Sequence, residues 1–491
     1  MGYPLGPNVE HTIQFYISQL EYEVLSGRES AVMMLKTMFL SFPAELLNTK
    51  GNFVFLTLGI RLINEQSPQC RALVAEALET LLSRLNKNYR DELVNLILVL
   101  LQNNKLNHRE LGAQFIKRLI NVEKKTFTRR VDQIFPALLS SLNDLGSENA
   151  GKFVRLKHIV PLDEQGEEAQ ALKDHSLFQT LNVLRQIFEV CPEVLTCTKY
   201  LEMVDELAYS LQSLLAYDHQ WVRFGALELL GVILSCIKPH TIYRILKGEE
   251  SEMSHRFMYS NPSAQARSLV LDMCTQLMPG ETDDATAQLI AQNLLIIGNI
   301  LSDIPLKTDN ADNNKSIDLI WMLRRVRYVI QSEVAKSPKS IVLRKNMFNL
   351  MESIVDLLND NALLCLAPSI LSPALRELTD KDHVNEDLKQ IVERLGCQIK
   401  AKIGKEQYDN ICFNMQSKIE EKRRLRRRNN AIEKINNPSL AAKRKLTEKN
   451  RKREAKRRKS DVLKQQNSKR TYSGEKKINR KTRRLEDLFQ S

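Results

Sequence analysis

The stretch Tyr200–Ile237 reads YLEMVDELAYSLQSLLAYDHQWVRFGALELLGVILSCI. Its first half places Leu201, Val204, Leu207, Leu211, Leu214 and Leu215 three or four residues apart, the spacing of one apolar helix face. Ala216, Tyr217 and Asp218 interrupt the pattern, and Val222, Ala226, Leu229, Leu230 and Ile233 resume it. Asp218 stands where an N-cap belongs, since a short carboxylate accepts from backbone N–H groups orphaned in a first turn. The stretch is a helical hairpin with two apolar stripes. One hairpin cannot bury both, whereas a stack of hairpins can.

The second helix carries a short grammar: an apolar residue and Arg, then a small or apolar residue three on, then an apolar residue four further. Here it is Val222-Arg223, Ala226 and Leu230. Looser copies stand at Cys70-Arg71, His108-Arg109, Ala266-Arg267 and Leu343-Arg344. The gaps between successive arginines are 38, 114, 44 and 77 residues, near whole multiples of roughly 40, the period of HEAT-type helix pairs. Arg223 is expected to pair with an Asp of its own or a neighbouring unit, and Trp221 to pack against the next unit.

Working outward, helical spacing recurs from His11 to Leu142 and from Leu177 to Lys402, with Pro43, Pro68 and Asn103-Asn104 falling between helices. Dividing the body by the period gives about ten helix pairs. These readings divide the chain into helical repeats over 1–142, an acidic loop over 143–176, further repeats over 177–405, a basic helix over 406–435 and a basic disordered tail over 436–491. The fold class is all-α, a HEAT- or armadillo-like α-solenoid with a basic, largely disordered C-terminal tail. The first helix shows Ile13, Phe15, Tyr16 and Leu20 where a solenoid end needs a polar cap, so it is expected to be covered.

Charge is segregated. From Lys418 onward there are 28 Lys and Arg against 9 Asp and Glu, a net +19, while the first 417 residues hold 44 against 50, a net −6. The candidate polyanion-binding residues are Lys422, Arg423, Arg424, Arg426, Arg427 and Arg428, then Lys443, Arg444 and Lys445. They continue with Arg451, Lys452, Arg453, Lys456, Arg457, Arg458 and Lys459, and end with Lys476, Lys477, Lys481, Arg483 and Arg484. Such a segment buries too little apolar area to offset its ordering entropy, so it is expected to be disordered or an exposed helix until it meets a polyanion. Lys and Arg release condensed counterions from phosphates and so bind without reading sequence. Only Tyr472 and Phe489 are aromatic here, so base stacking is not the tail's mode. Lys443–Lys445 with Lys456–Lys459 also form a two-part nuclear-import cluster, which implies an import receptor. No apolar face accompanies the charge, which disfavours a membrane surface.

Catalytic signatures are sparse. Gly146–Lys152 (GSENAGK) approaches a phosphate-binding loop, but Phe153 replaces the Ser or Thr that would hold magnesium and Glu148 would repel phosphate, so it reads as a solvated loop. The closest cysteines, Cys191 and Cys197, have five residues between them, an unusual zinc spacing. No enzyme activity, cofactor, metal or small-molecule substrate is expected. The longest uninterrupted apolar run, Leu96–Leu101, is too short to cross a bilayer.

The order of several short motifs resembles the C-terminal region of one family of very large HEAT-repeat nucleolar proteins. This is the U-three small nucleolar RNA-associated protein twenty family of the small-subunit processome. The motifs are Gly27-Arg28-Glu29-Ser30, Phe42-Pro43 with Leu46-Leu47, His219-Gln220-Trp221-Val222 and Trp321-Met322-Leu323-Arg324-Arg325. Asn437-Pro438 and Ala441-Ala442-Lys443 complete the series inside the basic tail. The resemblance implies a non-catalytic scaffold in nucleolar small-ribosomal-subunit biogenesis. It would touch pre-ribosomal RNA or small nucleolar RNA and other processome assembly factors, and reside in the nucleus and nucleolus. Family members are several times longer, so Met1 is expected to begin a fragment, an isoform or a truncated gene model. The competing reading is a protein-binding adaptor or transport-type solenoid whose tail is only an import signal.

Overall fold

The computed structural model describes residues 8–146, 164–238, 257–258, 261–277, 283–302, 319–332, 341–379, 385–436, 439, 442–450, 453–454 and 457. The chain divides into two compact units, Met1–Tyr408 and Asp409–Ser491.

The first unit is a run of helix pairs. They are α1 (Asn8–Ser18) with α2 (Leu25–Ser41), α3 (Ala44–Asn64) with α4 (Pro68–Arg84), α5 (Lys87–Leu101) with α6 (Leu106–Glu123), and α7 (Val131–Gly146) with α8 (Glu164–Val190). Then come α9 (Leu201–Leu214) with α10 (Gln220–Ser235), α11 (Pro262–Gln276) with α12 (Asp284–Ser302), α13 (Leu319–Gln331) with α14 (Ile341–Leu357), and α15 (Asp360–Thr379) with α16 (Glu386–Ile403). Each even-numbered helix from α2 to α16 packs on the next even one. The odd helices form the second layer, with α3, α5, α7 and α9 in series and α11, α13 and α15 in series. Gln212 of α9 joins the two series by donating to Ser268 of α11 at 2.7 Å. This is the expected all-α solenoid. The described residues hold eight such pairs.

The period is visible as side-chain bonds between equivalent helices. Lys36 of α2 meets Glu76 of α4 at 2.7 Å, 40 residues on. Arg118 of α6 meets Glu79 of α4 at 3.0 Å, 39 residues apart, and Arg394 of α16 meets Glu352 of α14 at 2.6 Å, 42 apart. Apolar stripes hold the layers together: α2 buries Ala31, Val32, Leu35, Met38 and Phe39, and α4 buries Cys70, Val74, Ala77, Leu78 and Leu81. Each such large side chain contributes roughly 1.5–3 kcal/mol. Where helices approach most closely only glycine fits: a Cβ on Gly59 would lie 2.1 Å from the Phe115 ring, which stacks on Phe55 with centroids 4.0 Å apart.

The arginine grammar has a local physical cause. Arg28, Arg71, Arg109, Arg223 and Arg344 each occupy the fourth residue of their even-numbered helix. Four of them fold back to donate to a carbonyl six residues earlier, in the turn joining the pair: Arg28 to Tyr22, Arg71 to Glu65, Arg109 to Asn103 and Arg223 to Tyr217, at 2.9, 3.2, 2.6 and 2.7 Å. A guanidinium thus satisfies carbonyls that a tight helix–helix turn leaves open. Arg344 instead pairs with Glu377 of α15 at 2.6 Å.

Several sequence expectations are corrected. Asp218 is not the cap of α10; His219 is, its Nδ1 accepting from the Trp221 N–H at 3.3 Å. Arg223 forms backbone hydrogen bonds instead of an Asp pair, and burial pushes its guanidinium below the usual value against the pull of Asp218 and Asp283. Arg267 lies on α11, in the odd layer, over the Trp321 ring at 5.3 Å, so it is no copy of the second-helix grammar. Both described ends of the stretch read as an acidic loop over 143–176 are helical: residues 143–146 close α7 and 164–176 open α8, where Asp174 is buried and accepts from Gln170 and Tyr217 at 2.7 Å each; residues 147–163 lie outside the described residues. The phosphate-loop-like residues after Gly146 lie outside the described residues. At the first helix Ile13 and Leu20 are buried, while Phe15 is exposed with its ring edge-on to Tyr16 at 5.2 Å. Although no uninterrupted apolar run spans a bilayer, α12 and α15 are long and apolar enough on average to do so; both are packed into the array.

Candidate nucleic-acid interface

The longest described helix, α17 (Lys405–Asn436), carries the first basic cluster; the sequence reading of 406–435 falls within one residue of each end. A break precedes it because Gly404 closes α16 at φ +85°, a left-handed conformation that costs glycine little. Lys422, Arg423, Arg424, Arg426, Arg427 and Arg428 are all exposed, and among the described residues they form no ion pair. At about 3.6 residues per turn they point to every side of the helix except the one held by Leu425 and, two turns on, Ile432. Those two are themselves 56% and 45% exposed. The cluster is therefore a sleeve of charge rather than a stripe.

Packing six like charges into two turns, about 10 Å of helix, leaves mutual repulsion on the order of 1 kcal/mol for each close pair in water. A polyanion relieves it. Five of the six are arginines, whose planar fork matches phosphate oxygens in pairs. About half the sleeve can face one strand at a time.

Residues 442–450 form a second exposed helix, which holds Lys443, Arg444 and Lys445 on successive sides. An exposed helix is one of the two states expected of this basic segment. Arg453 and Arg457 are helical and exposed as well. Arg451, Lys452, Lys456, Arg458, Lys459, Lys476, Lys477, Lys481, Arg483 and Arg484 lie outside the described residues, as does the small apolar set Leu485, Leu488 and Phe489.

The first unit treats charge in the opposite way. Glu65, 2% exposed, accepts from Arg28 at 3.0 Å through both oxygens, from Arg61 at 2.6 Å and from the Ser67 N–H at 3.0 Å. Burial alone would raise its pKa, but those donors outweigh it and hold the carboxyl at about 2. Glu123 is buried under a bidentate Arg130 (2.6 and 2.8 Å) and Arg129 (2.9 Å), and Arg130 also reaches Asp91 at 2.8 Å. Burial raises the Glu123 carboxyl, the two arginines lower it further, and the balance is downward. Both clusters are cross-braces between helices and turns.

Trp221, expected to pack against a neighbouring unit, meets the ring of one and still keeps more than half of its surface exposed. Trp221 is 58% exposed at the start of α10, 6.0 Å from the Phe178 ring of α8 and 5.3 Å from His219. Its position in a first turn was legible; which helix adjoins that turn was not.

A family model described as small subunit processome component 20 homolog, C-terminal, matches residues 108–462, which takes in α17 and the 442–450 helix. Two curated proteins called U3 small nucleolar RNA-associated protein 20 are similar to the chain. That of Schizosaccharomyces pombe is 22% identical over 463 residues, covering 90% of this chain and 16% of that protein. That of Saccharomyces cerevisiae is 19% identical over 471 residues, covering 92% and 17%. The chain thus spans about one sixth of the length of the curated relatives it matches. Among solved structures, the crystal structure of Kap121p bound to RanGTP is similar over 81% of this chain and 37% of that one, at 14% identity and a TM-score of 0.41.

Proposed function

The chain belongs to the small subunit processome component 20 homolog, C-terminal, family, and from that premise we propose that it is a non-catalytic scaffold in nucleolar small-ribosomal-subunit biogenesis. In this reading the helix pairs engage other assembly factors and the basic C-terminal unit grips pre-ribosomal RNA or small nucleolar RNA. Lys443–Lys445 with Lys456–Lys459 serve an import receptor, which brings the chain to the nucleus and nucleolus.

The observation that carries this reading is the α17 sleeve: six cations, fully exposed, with no carboxylate partner among the described residues. Charge left unpaired beside a mildly acidic body is charge available to an external polyanion. Binding of this kind depends on phosphate neutralisation and so on salt. Engagement of roughly eight phosphates of single-stranded RNA gives log affinity a slope near −6 against log salt. Filter binding of labelled RNA to the full chain, between low and moderate salt, measures that slope. Replacement of Lys422–Arg428 cations and Lys443–Lys445 by Gln should flatten it. A salt-independent affinity refutes phosphate gripping. Nuclear import without RNA cross-linking, with the tail fused to an inert reporter, favours the adaptor reading instead.

A further inference from the structure

A cavity of about 580 Å³ opens on the even-numbered layer between α4, α6 and α8. That size is within the roughly 300–1,000 Å³ range of ligand sites. Its lining is polar and charged, which is unusual for a seam between packed helices. Glu76 is neutralised by Lys36 of α2, and Glu79 accepts from both Arg118 (3.0 Å) and Asn121 (2.7 Å) of α6. The other two cations of the lining have no such partner: among the described residues neither Arg71 nor Lys117 forms an ion pair, and Lys117 donates no hydrogen bond. Lys117 is half-buried, and burial, then Arg118 and Arg185, press its ammonium below the usual lysine value against the pull of Glu79. Arg71, Lys117 and Arg118 against Glu76 and Glu79 leave the cavity with surplus positive charge, at an open surface where Arg71 is exposed and Lys117 half-buried.

Helix α8 links this cavity to the exposed Trp221. Gln179 of α8 lines it, and the preceding residue, Phe178, faces Trp221. Arg185, which acts on Lys117 from α8, lies 3.8 Å from Glu228 of α10. Trp221 sits two helical turns before Glu228, a rise of about 10 Å. The cationic cavity and the exposed indole thus lie on four successive even-numbered helices, α4, α6, α8 and α10.

We propose that this face binds single-stranded RNA, a phosphate resting between Arg71 and Lys117 and a base stacking on Trp221. The inference rests on the reading of the chain as an RNA-binding scaffold but locates a second contact, on the helical array rather than in the basic unit. A surplus-cationic cavity beside an exposed indole is the combination that single strands use, backbone in a positive groove and bases on aromatic faces. Acidic peptide would use the cations and leave the indole idle.

The chain has two tryptophans, so a full-length Trp321→Phe variant makes Trp221 the sole indole reporter. Titration with oligouridylate should quench it. Arg71→Gln with Lys117→Gln, conservative changes at the cavity, should weaken the quench about tenfold and lower the salt slope by about one. Trp221→Ala should weaken RNA cross-linking to α8 and α10 peptides roughly tenfold. Parallel anisotropy with labelled RNA follows total binding. RNA bound by anisotropy with silent Trp221 overturns this site and leaves the basic unit's role standing. Quenching that survives neutralisation of the α17 cations supports the site even if the basic unit fails. A polyglutamate peptide quenching as strongly as RNA, or quenching indifferent to the Arg71 and Lys117 changes, also overturns it.

Discussion

Arg130 and Arg426 are the same residue type in opposite circumstances. Arg130, 4% exposed, is clamped by Glu123 and Asp91. Arg426 stands on α17 in solvent, with no ion pair among the described residues. At the Glu65 and Glu123 clusters of the first unit charge is paired and serves to lock helix to turn and pair to pair. On α17 of the second it is concentrated, and the cations from Lys422 to Arg428 form no ion pair among the described residues. The contrast separates two kinds of basic residue that composition adds together: those already committed to the fold, and those with affinity to offer a partner.

Four measurements break or sharpen that contrast. Glu123→Gln leaves the buried Arg130 guanidinium short of its counter-charge and should destabilise the first unit by about 3–5 kcal/mol in denaturant melts, with RNA affinity unchanged in the fraction that remains folded. Acid should act on the same type of site. The Glu65 carboxyl is held at about 2, below the ordinary 4.5. A depressed folded value contributes stability that is complete above the unfolded value. Stability should therefore be full above pH 4.5 and decline as pH falls towards 2, by roughly 3 kcal/mol from this residue alone. Glu65→Gln should remove that acid-dependent component from the pH profile of unfolding.

Replacing the six α17 cations by Gln should leave the melting temperature of the first unit in place. It should lower RNA affinity about a hundredfold at 0.1 M salt, as about three phosphate contacts are lost. A matched change of stability would mean those cations are structural after all. The smallest effect is local. Lys124 ends α6 at φ +48°, ψ −129°, a backbone region favourable only to glycine. Lys124→Gly should stabilise by about 1 kcal/mol, read as a small rise in melting temperature.

Much of this was legible in one dimension, and for definite reasons. The three-and-four spacing of Leu201–Leu215 and Val222–Ile233 must be buried, so helices and their pairing followed directly. Pro43 and Pro68 did end up at helix starts, as N-cap and first residue. The arginine at the fourth helical position was visible as a recurring word, although its use was misread. An Arg–Asp pair was expected from charge alone, whereas the open carbonyls of the turn lie closer. His219 capped α10 in place of Asp218 because the helix begins one residue later than the apolar stripe implied.

The sequence by itself determined the class of fold, the helix-pair period and the separation of a charge-balanced body from a basic end, because each depends on residues near one another in the chain. Tertiary structure alone decided which charges are used up and which are free. Glu65 meets Arg28 across 37 residues and Asn121 meets Gln186 across 65, and no local pattern encodes such meetings. The same holds for the cavity between α4, α6 and α8. Its Arg71 and Lys117, which form no ion pair among the described residues, look ordinary along the chain, and become a site only when the stacking of helices decides which neighbours each one has.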